Sequence, residues 1–384
     1  MMRIYLDHNA TSPLRPEARE AALAAMETLG NPSSVHAEGR AAKALLESAR
    51  SRIAQGIGTA RRNVTFTSGA TEAANLALTP MLQRGKETAP FDLLLVGAGE
   101  HAAVLQGHRF PSSAVESVPL TPRGQLSLDA LDAALARHPG KRLMLALQLV
   151  NNETGVIQPV REAAERVHAA GGVLICDATQ AISRIETTFA TTGADLLFFS
   201  SHKLGGPAGA GALAVARDEL HISDKLLRGG GQEFGRRAGT ENVAAIAGFA
   251  AAFEAALSAT GKENPRLGEL RGLIESQIAQ IAPETRFFGA EAPRTANTSA
   301  FAIPGLSAQT LLMSLDLEGV AVSSGSACSS GKVRESHVLA AMGATEKVAL
   351  RVSLGWSSRK EDVEQFGMVL AKVVHRLRSR RSIA

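Results

Sequence analysis

Up to about residue 215 the chain repeats one pattern, an apolar run of strand length followed by a stretch with helical spacing. The runs are VTFT, DLLLVG, RLMLALQLV, GVLICD, DLLFFS and GALAV, and REAAERVHAAG shows the helical type between them. Continuous apolar strands suit a sheet covered on both faces, and strand–helix alternation builds parallel sheets. The pattern therefore predicts an α/β fold with a mostly parallel central sheet. Polar residues stand at the ends of these runs: Ser68, Asn151, Asp177 and Ser200. In open α/β sheets ligands bind in the crevice beyond the carboxyl ends of the strands, so four separate segments point to one place.

A chain of 384 residues exceeds the size at which one core usually stops growing, which predicts two domains sharing a cleft. PEAREAALAAMETLG has Pro16 near a helix start and Gly30 just past its end. A helical pattern runs from about Glu241 through Ala259, and KENPRLGEL then supplies a polar, proline-containing break. A smaller α/β unit follows: a helix to Ala282, a strand near NTSAFAI, a helix near SAQTLLMSLDLEG, a polar loop, ALRVSLG, and a closing helix from Lys360 to Arg378. The expected division is 16–260 as the large domain, with 1–15 and 261–384 as the small one.

Two cysteines make no disulfide framework, and a reducing, cytoplasmic compartment is expected. Cys176 ends a buried-type run, whereas Cys328 stands in the polar, flexible stretch SSGSACSSGK. MMRIYLDHN reaches Asp7 before any apolar leader can form, and the helix candidate Val243 to Phe253 is too short to span a bilayer, so no membrane association is expected. The formal charge of +4 lies partly in the terminal HRLRSRR without interleaved aromatics, so no nucleic-acid partner is expected.

SGATEAANLAL passes through Gly69 into a helix beginning around Thr71, and the free N–H groups of such a start favour a phosphate. Read alone, its Ser and Thr are helix caps without a ligand. It lacks the lysine of a P-loop and the third glycine of a dinucleotide fingerprint. In CDATQ, Asp177 either caps the next turn or holds a protonated ring nitrogen. Lys203, in SSHKLGGPAGAGAL, enters the crevice directly after a strand, and a partly buried lysine has the lowered pKa that Schiff-base chemistry uses. Ser200, His202 and the glycines around it favour binding of a phosphate and an aldehyde. His101, Asn152, Thr240 and Arg351 each have a bland reading as cap, core or surface residue; their joint order is what points to a site.

With these motifs in order, the chain resembles the pyridoxal phosphate-dependent cysteine desulfurases of the NifS and IscS type, within the class V aminotransferase-like group. The resemblance covers nearly the whole chain, from YLDHNATSPLRPEA and GNPSSVHAEGR through TSGATEAANLAL, NNETGVIQP, DATQA, SHKLGGP and RRAGTEN to SSGSACSSG and LRVSLG. It implies a fold type I enzyme with pyridoxal 5'-phosphate in the large domain. Lys203 resembles the lysine that bonds the cofactor and later moves protons, and His101 the histidine stacked on its ring. Asp177 would pair with the ring nitrogen and Gln180 with the phenolic oxygen. Thr71, Ser200 and His202 resemble phosphate ligands, and Ala70 is a further cofactor-binding position. Thr240 resembles the threonine contributed by the second subunit of a homodimer, and Asn152 and Arg351 the groups that bind the substrate carboxylate.

Cys328 matches the nucleophile whose thiolate attacks the sulfur of L-cysteine, leaving a persulfide and releasing alanine. An acceptor protein or iron–sulfur scaffold would take that sulfur. No residue is assigned as a direct metal ligand, and Cys328 is the one that would meet a cluster during transfer. The chain departs from the family at Pro207 to Gly209, PAG in place of PKG, in the charged run Lys332 to Glu335, and in a shorter, Arg-rich C-terminus. A selenocysteine lyase or another enzyme of the same fold is the nearest alternative, and a non-catalytic partner-binding protein of sulfur transfer is the more distant one.

Overall fold

The structure is a computed structural model that describes residues 3–325 and 334–381. Its central sheet has seven strands in the order Val64–Thr67, Gly211–Val215, Leu196–Ser200, Val173–Asp177, Leu143–Gln148, Leu93–Gly97 and Val115–Val118. The last five in that order run parallel. Gly211–Val215 runs antiparallel to both its neighbours. All six apolar runs are strands of this sheet; the edge strand Val115–Val118, sequence VESV, escaped notice because it has no apolar run.

Side chains alternate between two cores, as the pleat requires. Leu143, Leu145 and Leu147 enter one, with Phe199, Phe249 and Phe253. Met144 and Ala146 enter the other, with Phe198 and the helix Ala70–Ala77. Because the parallel strands share a direction, their polar ends, including Gln148, Asp177 and Ser200, emerge along one rim of the sheet.

A further core surrounds the antiparallel sheet Arg286–Phe288, Thr298–Ala302, Leu350–Ser353 and Ser323–Ser324. Ile4 and Leu6 belong to it together with Ile274, Phe301, Val352, Phe366 and Leu370. Ile4–Tyr5 pairs in parallel with Val320–Ala321, so the first residues of the chain pack with its last third.

The expected break at KENPRLGEL is absent: one helix runs from Val243 to Ile281 with Pro265 inside it. An interior proline costs about 3 kcal/mol, because it lacks an N–H and crowds the preceding turn. Burial outweighs that cost. The first part of the helix places Ile246, Phe249 and Phe253 in the large core, and the second places Leu267, Leu270, Ile274 and Ile278 in the small one. Each such side chain contributes about 1.5–3 kcal/mol. The polar residues of the supposed break make contacts: Glu263 pairs with Arg15 at 3.0 Å, and Asn264 Nδ2 donates to the Arg184 carbonyl at 2.7 Å.

The same helix overturns the length expectation for a membrane span. It is long enough, and its most apolar window has a mean hydropathy of 1.6. Half of that window is nonetheless buried inside the protein, with Ile246, Phe249 and Phe253 in the large core.

Candidate active site

A cavity of about 540 Å³ opens along the carboxyl rim of the parallel strands. Ala70, Thr71, His101, Asn152, Asp177, Gln180, Ser200, His202, Lys203 and Arg351 all line it. Ten residues singled out from six separate stretches of sequence are thus brought to one place.

One end is a helix start. The helix Ala70–Ala77 is preceded by Gly69 and has no side-chain cap, so the reading of Ser68 and Thr71 as mere caps is not what the structure holds. The Glu72 carboxylate accepts from the Ser68 N–H at 2.8 Å and from Arg237 Nε at 2.9 Å, which ties the RRAGTEN segment to this end. Gly211 lets the turn lie close against the sheet: a Cβ there would stand 2.6 Å from the Gly69 Cα. An uncapped helix start beside Ser200 and His202 is a cradle for an anion. Burial, reinforced by Lys203, lowers His202 to about 4, leaving a neutral ring.

The floor is Asp177, 8% exposed, whose Oδ1 accepts from the Thr179 N–H at 2.8 Å. Burial raises its carboxyl, opposed by Thr179, His101 and Lys203. His101 caps the short helix Ala102–Leu105, its Nδ1 accepting from the Ala103 N–H at 3.1 Å, which leaves the proton on Nε2. Burial lowers its pKa, and Asp177 opposes the shift.

Lys203 follows the strand Leu196–Ser200 in a single 3-10 turn. Its Nζ donates to the carbonyls of Asn9 at 2.6 Å and Ala10 at 2.8 Å. Burial, then the charges of Arg351 and Arg184, bring the amine from 10.5 to about 8, against opposition from Asp7 and Asp177. A neutral amine is the nucleophilic form, so the site prepares this lysine to attack a carbonyl near neutral pH.

Arg351 arrives from the small antiparallel sheet. It is 4% exposed, donates to Asp7 Oδ1 at 2.8 Å and the Asn152 carbonyl at 3.0 Å, and its buried Nε has no partner among the described residues. A planar guanidinium with an unused N–H on a cavity wall is suited to a carboxylate.

One predicted residue stands elsewhere. Thr240 is exposed and lines a separate surface depression with Leu29, Asn31 and His36. Cys328 lies outside the described residues. Cys176 is a fully buried core residue, its thiol pushed well up by burial.

Sequence reasoning missed several supports. Asn9, 1% exposed, donates from Nδ2 to the Asn152 carbonyl and to Thr298 Oγ1, while its own carbonyl accepts from Lys203 and Gln180. Its place inside YLDHNATSP was the only signal. Glu100 and Glu153 are buried carboxyls pushed up by burial. Glu153 Oε2 accepts from Ser336 Oγ at 2.6 Å and abuts Gly325, so residues on both sides of 326–333 meet at one side chain.

The likenesses to known proteins agree with this geometry. An IscS-like cysteine desulfurase from Mycobacterium tuberculosis is 37% identical over 384 residues, covering 97% of this chain and 97% of its own length. Cysteine desulfurase IscS of Dictyoglomus turgidum is 34% identical over 388 residues, covering 98% and 95%. The X-ray structure of a NifS-like protein from Rickettsia africae superposes with a TM-score of 0.86 at 30% identity, across 97% of this chain and 99% of that one. With a family model for class-V aminotransferases matching residues 4–366, the chain belongs to that family, in the group that holds the IscS-like and NifS-like proteins.

Proposed function

We propose that this chain is a cytoplasmic, homodimeric, pyridoxal phosphate-dependent cysteine desulfurase. It converts L-cysteine to L-alanine and passes the sulfur, through a persulfide on Cys328, to an acceptor such as an iron–sulfur scaffold. The observation that carries the reading is Lys203, an amine lowered to about 8 in the same cavity as the buried carboxylate of Asp177 and an Arg351 whose Nε has no partner among the described residues.

The donor set fits the cofactor. Asp177 is a buried anion in need of a counter-charge, which a protonated ring nitrogen supplies. The uncapped start at Ala70 and Thr71, with Ser200 and His202, suits a phosphate; Gln180 would donate to a phenolic oxygen, and His101 would lay its ring on the cofactor's. Pyridoxal phosphate, when bound, supplies an aldehyde that condenses with amines and a ring that withdraws electrons from the substrate's α-carbon.

The protein's own groups do the rest. Lys203 Nζ takes and returns the α-proton, for which a pKa near the working pH is best. Arg351 and Asn152 hold the carboxylate so that the thiol of the substrate is presented to Cys328. The Cys328 thiolate attacks the substrate sulfur: a new S–S bond forms, the C–S bond breaks, and its electron pair returns to the carbon that becomes alanine's methyl group.

Thr240 supports two copies. It stands on a surface with Leu29, itself 80% exposed, and Val35 and Met26 nearby in sequence are 87% and 70% exposed, a set of apolar residues that a second chain would cover. The separate cores around Phe249 and Phe301 support the division into 16–260 and 1–15 with 261–384.

The test is turnover of L-cysteine by wild type and Cys328→Ser, with alanine and sulfide quantified and the visible spectrum recorded. Both products from wild type alone, with both proteins yellow, is the expected result. Retained sulfide formation by the serine variant would overturn the assigned nucleophile. A colourless protein after cofactor addition would overturn the cofactor reading, and turnover confined to L-selenocysteine would identify a lyase.

A further inference from the structure

Arg184 lies four residues past Gln180, in a turn where Ser183 adopts a left-handed φ of 68° that is unusual for a residue with a side chain. The long helix pins that turn from outside: Thr260 Oγ1 donates to the Ser183 carbonyl at 3.2 Å and Asn264 Nδ2 to the Arg184 carbonyl at 2.7 Å. Held so, Arg184 directs its Nη1 back onto Gln180, to the main-chain carbonyl at 3.1 Å and to the side-chain Oε1.

A carboxamide has one accepting and one donating end, and its neighbours decide which way round it sits. Here the oxygen faces Arg184, and Nε2 donates to the Asn9 carbonyl at 3.0 Å, the same oxygen that accepts from Lys203. Gln180 lines the cavity, and its second amide hydrogen is left for whatever occupies it. Arg184 also adds to the charge around Lys203, among Arg351, Asp7, Asp177, His101 and His202. Burial, then the charge of Arg351, lowers the Arg184 guanidinium to about 9, so it still carries its charge at neutral pH.

We infer that Arg184 is a positioning residue which fixes Gln180 as a hydrogen-bond donor toward the cofactor's phenolic oxygen and places a positive charge beside Lys203 at neutral pH. The inference rests on the pyridoxal phosphate reading above. Arg184 does not line the cavity; it acts through Gln180 and through its field.

The experiment is a mutant cycle on the purified, cofactor-loaded protein and its cofactor-free form, with Arg184→Met, Gln180→Ala and the double variant. The readouts are the dissociation constant for pyridoxal phosphate and the pH midpoint of the visible band. Arg184→Met is expected to weaken cofactor affinity about five- to tenfold, the value of one well-oriented hydrogen bond, and to move the midpoint upward by roughly half a unit or more as a nearby cation is lost. In the Gln180→Ala background the same substitution should leave affinity unchanged, since residues acting as a unit are not additive.

Arg184→Lys keeps the charge but not the fork, so its midpoint should stay while its affinity falls. If Arg184→Met does not fold, as judged by far-UV circular dichroism, the neutral Arg184→Gln carries the same cycle. Equal affinity losses in both Gln180 backgrounds would overturn the positioning role, and an unmoved midpoint in Arg184→Met the electrostatic one. A wild type that binds no pyridoxal phosphate would instead overturn the underlying reading.

Discussion

Glu233→Ala is expected to destabilise the protein by about 3–5 kcal/mol, the cost of removing one partner from a buried ion pair. The side chains of Glu233 and Arg50 are only 1% and 2% exposed, and they meet at 2.5 Å and 2.8 Å. The pair also closes the edge of the central sheet. Glu233 Oε2 accepts from the Phe66 N–H at 2.8 Å, and Arg50 Nη1 donates to the Val64 carbonyl at 2.9 Å, so the outer groups of the strand Val64–Thr67 are satisfied without another strand. Arg50 lies over the rings of Phe66 and Phe234, at 4.8 Å and 5.1 Å. Alanine would leave the buried Arg50 guanidinium only the partly exposed Glu47, 3.1 Å from its Nε, as a carboxylate partner, and would leave the Phe66 N–H unpaired.

It would also release the left-handed backbone of Glu233 and Phe234, at φ 51° and 57°, in the segment that leads to Thr240. The assay is urea unfolding followed by the fluorescence of Trp356, the sole tryptophan, with cofactor affinity measured in parallel. The double variant Arg50→Met with Glu233→Leu should recover more than half of the loss, because an apolar replacement removes both desolvation costs. A loss below about 1 kcal/mol for the single variant, or no recovery in the double one, would refute the reasoning.

Lys203→Ala should bind pyridoxal phosphate without the wild-type visible band and show no turnover; a band trapped by borohydride in this variant would exclude Lys203 as the bonding amine. For cofactor-free wild type, the rate of cofactor capture should rise with pH and level off above about 8, because the neutral amine attacks and its pKa is lowered from 10.5; a rise continuing to pH 10 would contradict the burial effect. Arg351→Lys should raise KM for cysteine about tenfold while cofactor affinity stays unchanged, since a lysine cannot meet a carboxylate with two parallel bonds. Gly211→Ala should weaken cofactor affinity about tenfold by driving a methyl group into Gly69, and an unaltered dissociation constant would show that the turn at Gly69 does not hold the phosphate.

The residues that do chemistry were readable because they sit in motifs at strand ends, and a parallel sheet brings its strand ends together whatever the details of its loops. Lys203, Asp177 and Ser200 needed only that rule to converge. The supports were not readable. Asn9 holds Lys203 and Gln180 through its carbonyl, and any residue has one; Arg184 depends on a left-handed turn at a serine, a conformation that residue type rarely signals; and Glu233 pairs with Arg50 across 183 residues. Pro265 misled for a similar reason, its local preference being overruled by two cores that the same helix joins.

The sequence by itself determined the layered α/β plan and the identity of the reactive groups, because hydrophobic period and local motif are written in neighbouring residues. Only the tertiary structure decided which backbone carbonyls hold Lys203, which way Gln180 faces, and that Thr240 looks away from its own chain's cavity. Those are matters of distance and burial between segments far apart in the chain, where desolvation and directed hydrogen bonds, not residue preference, set the outcome.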